Sequence, residues 1–138
     1  MSKLSDQLRI HEGVRSHVYL CTAGYETIGV GRNIAESGIG LSDDEIDYLL
    51  ENDIKRCKQE LISLSWFADL DSVRQDAIVN LCFNLGLTRL MGFQNAMGAM
   101  AIGDYEKAAD EFLDSRWAEQ VGQRSLDVAH MIRTGEYP

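Results

Sequence analysis

The stretch HEGVRSHVYLCTAGYETIGVGRN, His11–Asn33, decides how the chain is read. VRSHVYL and YETIGVG are rich in β-branched and aromatic residues, and the CTAG between them ends in Gly24, which can supply the positive φ of a tight turn. The reading is a β-hairpin. Upstream of it Leu4 and Leu8, with Met1 in register, recur at helical spacing. Ser2 or Ser5 can cap that helix, and Gly13 can end it in a left-handed conformation. Glu12 therefore falls in the last turn of a short helix, Cys21 just before the hairpin turn, and Thr27 in the second strand.

Each of these three side chains has a chemical reading and a plainer one. A carboxylate at the negative end of a helix dipole is disfavoured in its ionised form, which suits a proton donor; the alternative is a surface glutamate at a frayed end. A thiol beside a turn can reach into a cleft, and an ordinary thiol, ionising near ~8.5, already has a minor thiolate fraction at neutral pH. Cysteine is also a small buried hydrophobe, and threonine an ordinary strand residue. Taken one at a time, spacing does not choose.

Outward from the hairpin, RNIAESGIG is a glycine-bearing loop, and SDDE at Ser42–Glu45 is a capping box opening a long helix with Ile46, Leu49, Leu50, Ile54, Cys57 and Leu61 on one side. Asp71 can cap a second helix in which Val73, Ala77, Ile78, Leu81, Cys82 and Leu85 face inward and Gly86 stops the run. This most apolar helix is the expected centre of the core. Shorter helices are expected over about 92–102, over 105–113 after Asp104, and over 123–134 before Gly135. The class is α+β: a single domain, 1–138, with a small hairpin lobe at about 13–34 beside a mainly helical lobe, and a ligand site in the cleft between lobes.

Composition narrows the function. With 13 basic against 22 acidic residues the formal charge is -9, which disfavours nonspecific nucleic-acid binding and any pull toward anionic membranes or wall polymers. The acidic clusters SDDEIDYLLEND and DYEKAADEFLD read as solvated helix faces. No stretch approaches the ~18 apolar residues of a membrane span, so stable membrane insertion is not expected. The amino terminus lacks the apolar core of a secretory signal, so synthesis without an export signal is expected. Cys21, Cys57 and Cys82 are odd in number and lack C-x-x-C spacing, which points to reduced thiols and implies neither metal nor cofactor.

Taken together, Glu12, then Cys21 after eight residues, then Thr27 after five, set in LRIHEGVRSHVYLCTAGYETIGVGRN, resemble the catalytic signature of the phage-type lysozymes, glycoside hydrolase family 24. That signature runs Glu, then Asp or less commonly Cys, then Thr. SDDEIDYLLENDI, DSVRQDAIVNLCFNLG, GFQNAM, SRWAEQVGQRS and RTGEY resemble later parts of the family, so the likeness covers nearly the whole chain. The segment between Gly31 and Ser42 is shorter than in the T-even phage prototype.

The resemblance implies a lysozyme-like fold and an endolysin, a muramidase that hydrolyses the β-1,4 bond between N-acetylmuramic acid and N-acetylglucosamine in peptidoglycan. It implies Glu12 as the acid and Cys21 with Thr27 as the groups that handle the water. It implies substrate contacts from Gly31, Phe83, Asn84, Arg116 and Arg124, with Ser115 and Trp117 lining or supporting the cleft; Trp117 reads equally as core. Arg124 matches an arginine that approaches the catalytic glutamate. Arg32, where the prototype has a histidine, would pair with Asp53. It also implies bacterial peptidoglycan as the partner, met by a monomer that would be made in the host cytoplasm and released to the periplasmic wall through a holin. Two alternatives stay open: a lytic transglycosylase using Glu12 alone, and a noncatalytic peptidoglycan-binding relative.

Overall fold

Ser2 opens the first helix as its sequence predicts, its hydroxyl accepting the Ser5 N–H at 3.0 Å. This helix, α1, runs Lys3–Glu12, and Gly13 ends it by donating its N–H to the Arg9 carbonyl at 2.9 Å. Gly13 has a positive φ of 79° but an extended ψ of 166°, so the chain leaves the helix straight into a strand rather than through the left-handed cap expected. The computed structural model describes residues 2–138, and Met1, assigned to the apolar face of α1, lies outside them. Eight helices and one three-stranded antiparallel sheet among the described residues make the α+β class. The chain divides into two compact units, Met1–Leu49 and Leu50–Pro138.

In the first unit β1 (Arg15–Leu20) pairs with β2 (Glu26–Gly29) through Leu20↔Glu26, Tyr19↔Thr27 and Arg15↔Gly29, with an irregularity between Arg15 and Tyr19. A third strand, β3 (Arg32–Asn33), pairs with β2 through Ile28↔Arg32 and Thr27↔Asn33. Two residues carry no readable alternation, so the sequence predicts only a hairpin. The helix α2 (Asp43–Leu61) starts at the predicted capping box, with Glu45 Oε1 accepting the Ser42 N–H at 3.0 Å and the Ser42 hydroxyl at 2.8 Å. The apolar residues of α1 and of the start of α2, Leu4, Leu8, Ile46 and Leu49, stay exposed. A unit of this size has little interior, and among its described residues only Thr27 is buried.

The second unit holds the core. From α2 come Cys57 and Leu61, with Ile54 half-buried against them, while Leu50 is exposed instead of inward. The central helix α3 (Ser72–Leu85) is capped by Asp71, which accepts the Arg74 N–H at 3.2 Å, and ends at Gly86, as predicted. It buries Ala77, Ile78, Val79, Leu81, Cys82 and Leu85. Around it lie α4 (Leu87–Met91), α5 (Gln94–Ala101), α6 (Tyr105–Leu113), α7 (Arg116–Val121) and α8 (Gln123–Thr134). The short helices α4 and α7 are not foreseen in the sequence. Phe112 of α6 is fully buried, its ring 5.4 Å from that of Phe93, and Trp117 meets Phe93 edge-on at 6.4 Å. Arg74 ties α3 to α8 by donating Nε–H to the Ile132 carbonyl at 2.7 Å, with its guanidinium over the Tyr105 ring. Among the described residues no helix is long and apolar enough to cross a membrane.

Candidate active site

The hairpin turn builds the environment of Cys21 from backbone. Cys21 donates its N–H to the Tyr25 carbonyl at 3.0 Å, and Gly24, at φ 85°, donates its own to the Cys21 carbonyl at 2.9 Å. A loop closed this tightly turns successive N–H groups toward the sulfur. Hydrogen bonds from the N–H of Tyr25 and then of Ala23 hold the Cys21 pKa below that of an ordinary thiol; partial burial opposes them, and the Thr27 hydroxyl and the Gly24 N–H add to them. The turn thus makes the thiolate at Cys21 easier to form than that of an ordinary thiol.

Thr27 stands beside Cys21 because Tyr19 and Thr27 are paired two residues into the hairpin. Buried, it donates its hydroxyl proton to the Tyr25 carbonyl at 2.8 Å. The Tyr25 carbonyl and the Cys21 sulfur thus share the one hydroxyl proton of Thr27, whose oxygen keeps its lone pairs for another partner.

Glu12, at the exposed end of α1, lies against Gly31. A Cβ at position 31 would stand 2.9 Å from Glu12 Oε2 and 3.1 Å from its Cδ, so the carboxylate rests where any other residue would place a side chain. Gly31 also has a φ of 67°, which disfavours other residues. In the first unit, then, the structure brings Cys21 to Thr27 and Glu12 to Gly31.

Arg32 does not take its predicted partner. Its guanidinium donates to Glu45 Oε1 at 2.7 Å and to the Gly40 carbonyl at 2.9 Å, while Asp53 pairs with Arg56 one turn along α2. The short loop after β3 delivers the capping glutamate to the arginine first, and Asp53 finds a cation on its own helix face.

In the second unit, Phe83 and Arg124 line one pocket of about 450 Å³, together with Ile54, Lys58, Asn80 and Tyr137. Phe83 is 45% exposed there. Arg124, in the first turn of α8, donates Nε–H to Asn80 Oδ1 at 2.8 Å and Nη2–H to the Asn80 carbonyl at 3.4 Å. Tyr137 donates its hydroxyl to Asp76, and that carboxylate pushes the phenol pKa up. Asn84 accepts the Trp117 indole N–H at 2.7 Å on Oδ1, which leaves its amide N–H groups and a second lone pair on that oxygen for a ligand. Trp117 is 4% exposed and belongs to the core. Ser115 caps α7 by accepting the Ala118 N–H at 3.2 Å, and Arg116 opens that helix at the surface.

Sequence reasoning missed Asn80, Lys58 and Tyr137. Asn80 left a signal: it is a polar residue inside the most apolar helix, and Asn84 follows it four residues later on the same face.

A carboxyl that can give a proton and a thiol–hydroxyl pair that can take one are the tools of glycosidic hydrolysis. Comparison with known proteins identifies the family: the phage lysozyme family pattern matches residues 9–132, and the chain belongs to that family. It is a lysozyme-type peptidoglycan hydrolase. Probable T4-type lysozyme 1 of Dictyostelium discoideum is 28% identical across 98% of this chain and 96% of that protein. An endolysin of Acyrthosiphon pisum secondary endosymbiont phage 1 is 28% identical across 86% and 80%. The pre-baseplate central spike protein Gp5 of Enterobacteria phage T4 is 30% identical across 96% of this chain, which spans 28% of that longer protein. The alignment to the Dictyostelium protein runs over 163 positions against 138 residues here, so that relative carries residues this chain lacks.

Proposed function

We propose that the protein is an endolysin muramidase, cleaving the β-1,4 bond between N-acetylmuramic acid and N-acetylglucosamine in the wall of a bacterial host. The observation that carries this reading is the Cys21 turn, where backbone N–H groups and the Thr27 hydroxyl favour a thiolate in the place the family signature gives to a carboxylate or thiol. Glu12 donates a proton to the glycosidic oxygen as the bond to the anomeric carbon breaks. Water forms the new bond to that carbon and passes its proton to the Cys21 thiolate. Thr27 orients the water by accepting a hydrogen bond on its hydroxyl oxygen. Proton exchange with solvent then restores the protonated Glu12 and the thiolate.

In this reading the wall polymer is the partner, the chain acts as a monomer, and a holin supplies the route from cytoplasm to periplasmic wall. Bacteria expressing this chain alone lyse slowly, and promptly once a membrane permeabiliser is added; prompt lysis without one contradicts the route.

The deciding experiment is mass spectrometry of muropeptides released from purified Gram-negative walls. Hydrolysis leaves reducing-end muramic acid. Products one water lighter, with no reducing end, would instead make the protein a transglycosylase working through Glu12 alone, and no release at all would make it a noncatalytic relative.

A further inference from the structure

We propose that Cys57 and Cys82 are a redox modification site: a low-molecular-weight disulfide oxidises the pair to a crosslink between α2 and α3, and Glu60 is the base that closes it. The inference goes beyond the muramidase reading and needs no wall substrate to be tested.

Three groups meet at one place in the second unit. Cys57 and Glu60 stand one turn apart on α2, and Cys82 comes to them from α3. The Cys57 side chain is within hydrogen-bond reach of the Cys82 sulfur, which also donates its S–H to Glu60 Oε2 at 3.9 Å. All three line a cavity of about 320 Å³ whose rim, at Arg56 and Glu60, is exposed to solvent. Cys57 is 9% exposed and Cys82 2%, so Cys57 is the first to meet a reagent.

As small hydrophobes two thiols would serve the core equally well without a carboxylate against one of them. Burial, then Cys57 and Glu60, push the Cys82 thiol up to about 12, so it does not become a nucleophile unaided. The same carboxylate removes that obstacle by taking the proton. Oxidation then runs as two thiol–disulfide exchanges. Cys57 gives its proton to solvent and attacks the reagent disulfide, forming a mixed disulfide and releasing one reagent thiol. Cys82 next attacks the Cys57 sulfur as its own proton passes to Glu60, and the second reagent thiolate leaves and takes up that proton. The protein loses two electrons and two hydrogens, and the reagent disulfide gains them. From hydrogen-bond contact to an S–S bond of ~2.05 Å the sulfurs close by side-chain rotation. Such oxidants act in oxidising compartments and are held down in a reducing cytoplasm, so the bond would mark passage from one to the other.

The test takes the full reduced chain, adds oxidised glutathione, quenches with acid at intervals and follows the intact protein and its peptides by mass spectrometry. The expected sequence is a transient glutathione adduct on Cys57 and then a Cys57–Cys82 crosslink, with a thermal midpoint raised about 5–10 °C and restored by dithiothreitol. Cys82→Ala keeps the adduct and shows no such rise on oxidation. Glu60→Gln slows closure about tenfold and lets the Cys57 adduct accumulate, which a merely structural role for that carboxylate would not do. Glu60→Asp recovers part of the rate. Midpoints of the reduced variants show that each is folded.

Full glutathionylation of Cys21 with no Cys57–Cys82 crosslink overturns the proposal, and so does a crosslink that forms only in denaturant. A midpoint that falls on crosslinking also overturns it, because the bond would then strain the fold instead of joining groups already in contact. Closure of Glu60→Gln at the parent rate removes the base and with it the built site. None of these outcomes depends on whether the protein releases reducing ends from peptidoglycan.

Discussion

Residues Met1–Leu49 and Leu50–Pro138 place their side chains by different physics. The first unit carries Glu12, Cys21 and Thr27, yet among its described residues buries only Thr27; among the described residues every buried apolar side chain lies in the second. The cysteines show the same contrast. Cys21 sits in a turn of backbone donors that lowers its pKa, whereas burial, then the neighbouring Cys57 and the Glu60 carboxylate, push the Cys82 thiol up to about 12. Hydrogen bonds and glycine conformations fix the motif, and packing fixes the core. Chemistry and stability should therefore respond to different substitutions.

The largest separation is expected from Glu12→Gln. It keeps the size of the side chain and removes the donated proton, so reducing-end release should fall by about 10²–10⁴-fold. Its thermal midpoint should hold or rise slightly, because a negative charge leaves the unfavourable end of a helix. Phe112→Ala is the counterpart in the other unit. Removing that fully buried ring should cost about 3–5 kcal/mol of stability, measured by denaturant unfolding, while the molecules still folded turn over normally. A Glu12→Gln protein that unfolds, or a Phe112→Ala protein whose folded fraction is slow, would erase the distinction between the units.

Cys21 comes next. The proposed mechanism needs a thiolate and a protonated carboxyl together, so it predicts a bell-shaped pH profile whose two limbs belong to two residues. Cys21→Asp should keep activity and move one limb toward acid. Cys21→Ala should remove that limb and lower turnover by about 10²-fold without unfolding the chain. Iodoacetamide at neutral pH should label Cys21 ahead of buried Cys57 and Cys82, and protection of Cys21 comparable to theirs would contradict a thiolate in the turn. A parent-like rate and profile for Cys21→Ala would leave the thiol without a catalytic role.

Gly31→Ala sharpens the claim that the first unit is positioned by backbone. It carries two penalties, a Cβ at φ 67° and a contact 2.9 Å from Glu12 Oε2. The carboxylate is the end of a flexible side chain and can swing away, so the folding cost stays near the ~1–2 kcal/mol of a strained φ. Displacing the proton donor should cost about tenfold or more in activity. Gly40→Ala separates the two effects: φ is 65° and a Cβ there meets nothing within 4 Å, so it should lose stability without that loss of activity. Equal activity losses in both variants would assign the effect to strain alone.

What could be read from the sequence was local. Ser2, Asp71, Asp104 and the Ser42–Glu45 box act as caps because a cap needs only the next three residues, and the expected spans 105–113 and 123–134 agree with α6 and α8. The strand β3 and helices α4 and α7 are too short for a period to emerge from their composition. Glu12, Cys21 and Thr27 stood out only as a spaced set. The bonds from Arg124 to Asn80 and from Trp117 to Asn84 join residues dozens of positions apart, and no local pattern encodes such partners. Arg32 failed for the same reason, since the course of a loop, rather than the residue types in it, chose Glu45 over Asp53.

The smallest predicted effect belongs to that arginine. Glu45 Oε1 accepts from Arg32 at 2.7 Å and from the N–H and hydroxyl of Ser42, and these hydrogen bonds, Arg32 first, lower the Glu45 pKa to about 2. An unfolded glutamate titrates near ~4.3, so the folded form binds its proton less readily. The resulting stability is fully present above that value and is lost as pH falls toward about 2. Arginine keeps its proton throughout, so no matching loss occurs on the alkaline side. The pair is about one-third exposed and screened by solvent, so the change should be confined to its surroundings. Amide protection factors, measured by NMR from pH 5 to 2 against the intrinsic exchange rate at each pH, should fall over residues 32–45 while those of α3 hold. Glu45→Gln should flatten that acid response. If α3 opened over the same interval as the loop, the two units would not be independent in stability, and the contrast between them would describe burial alone.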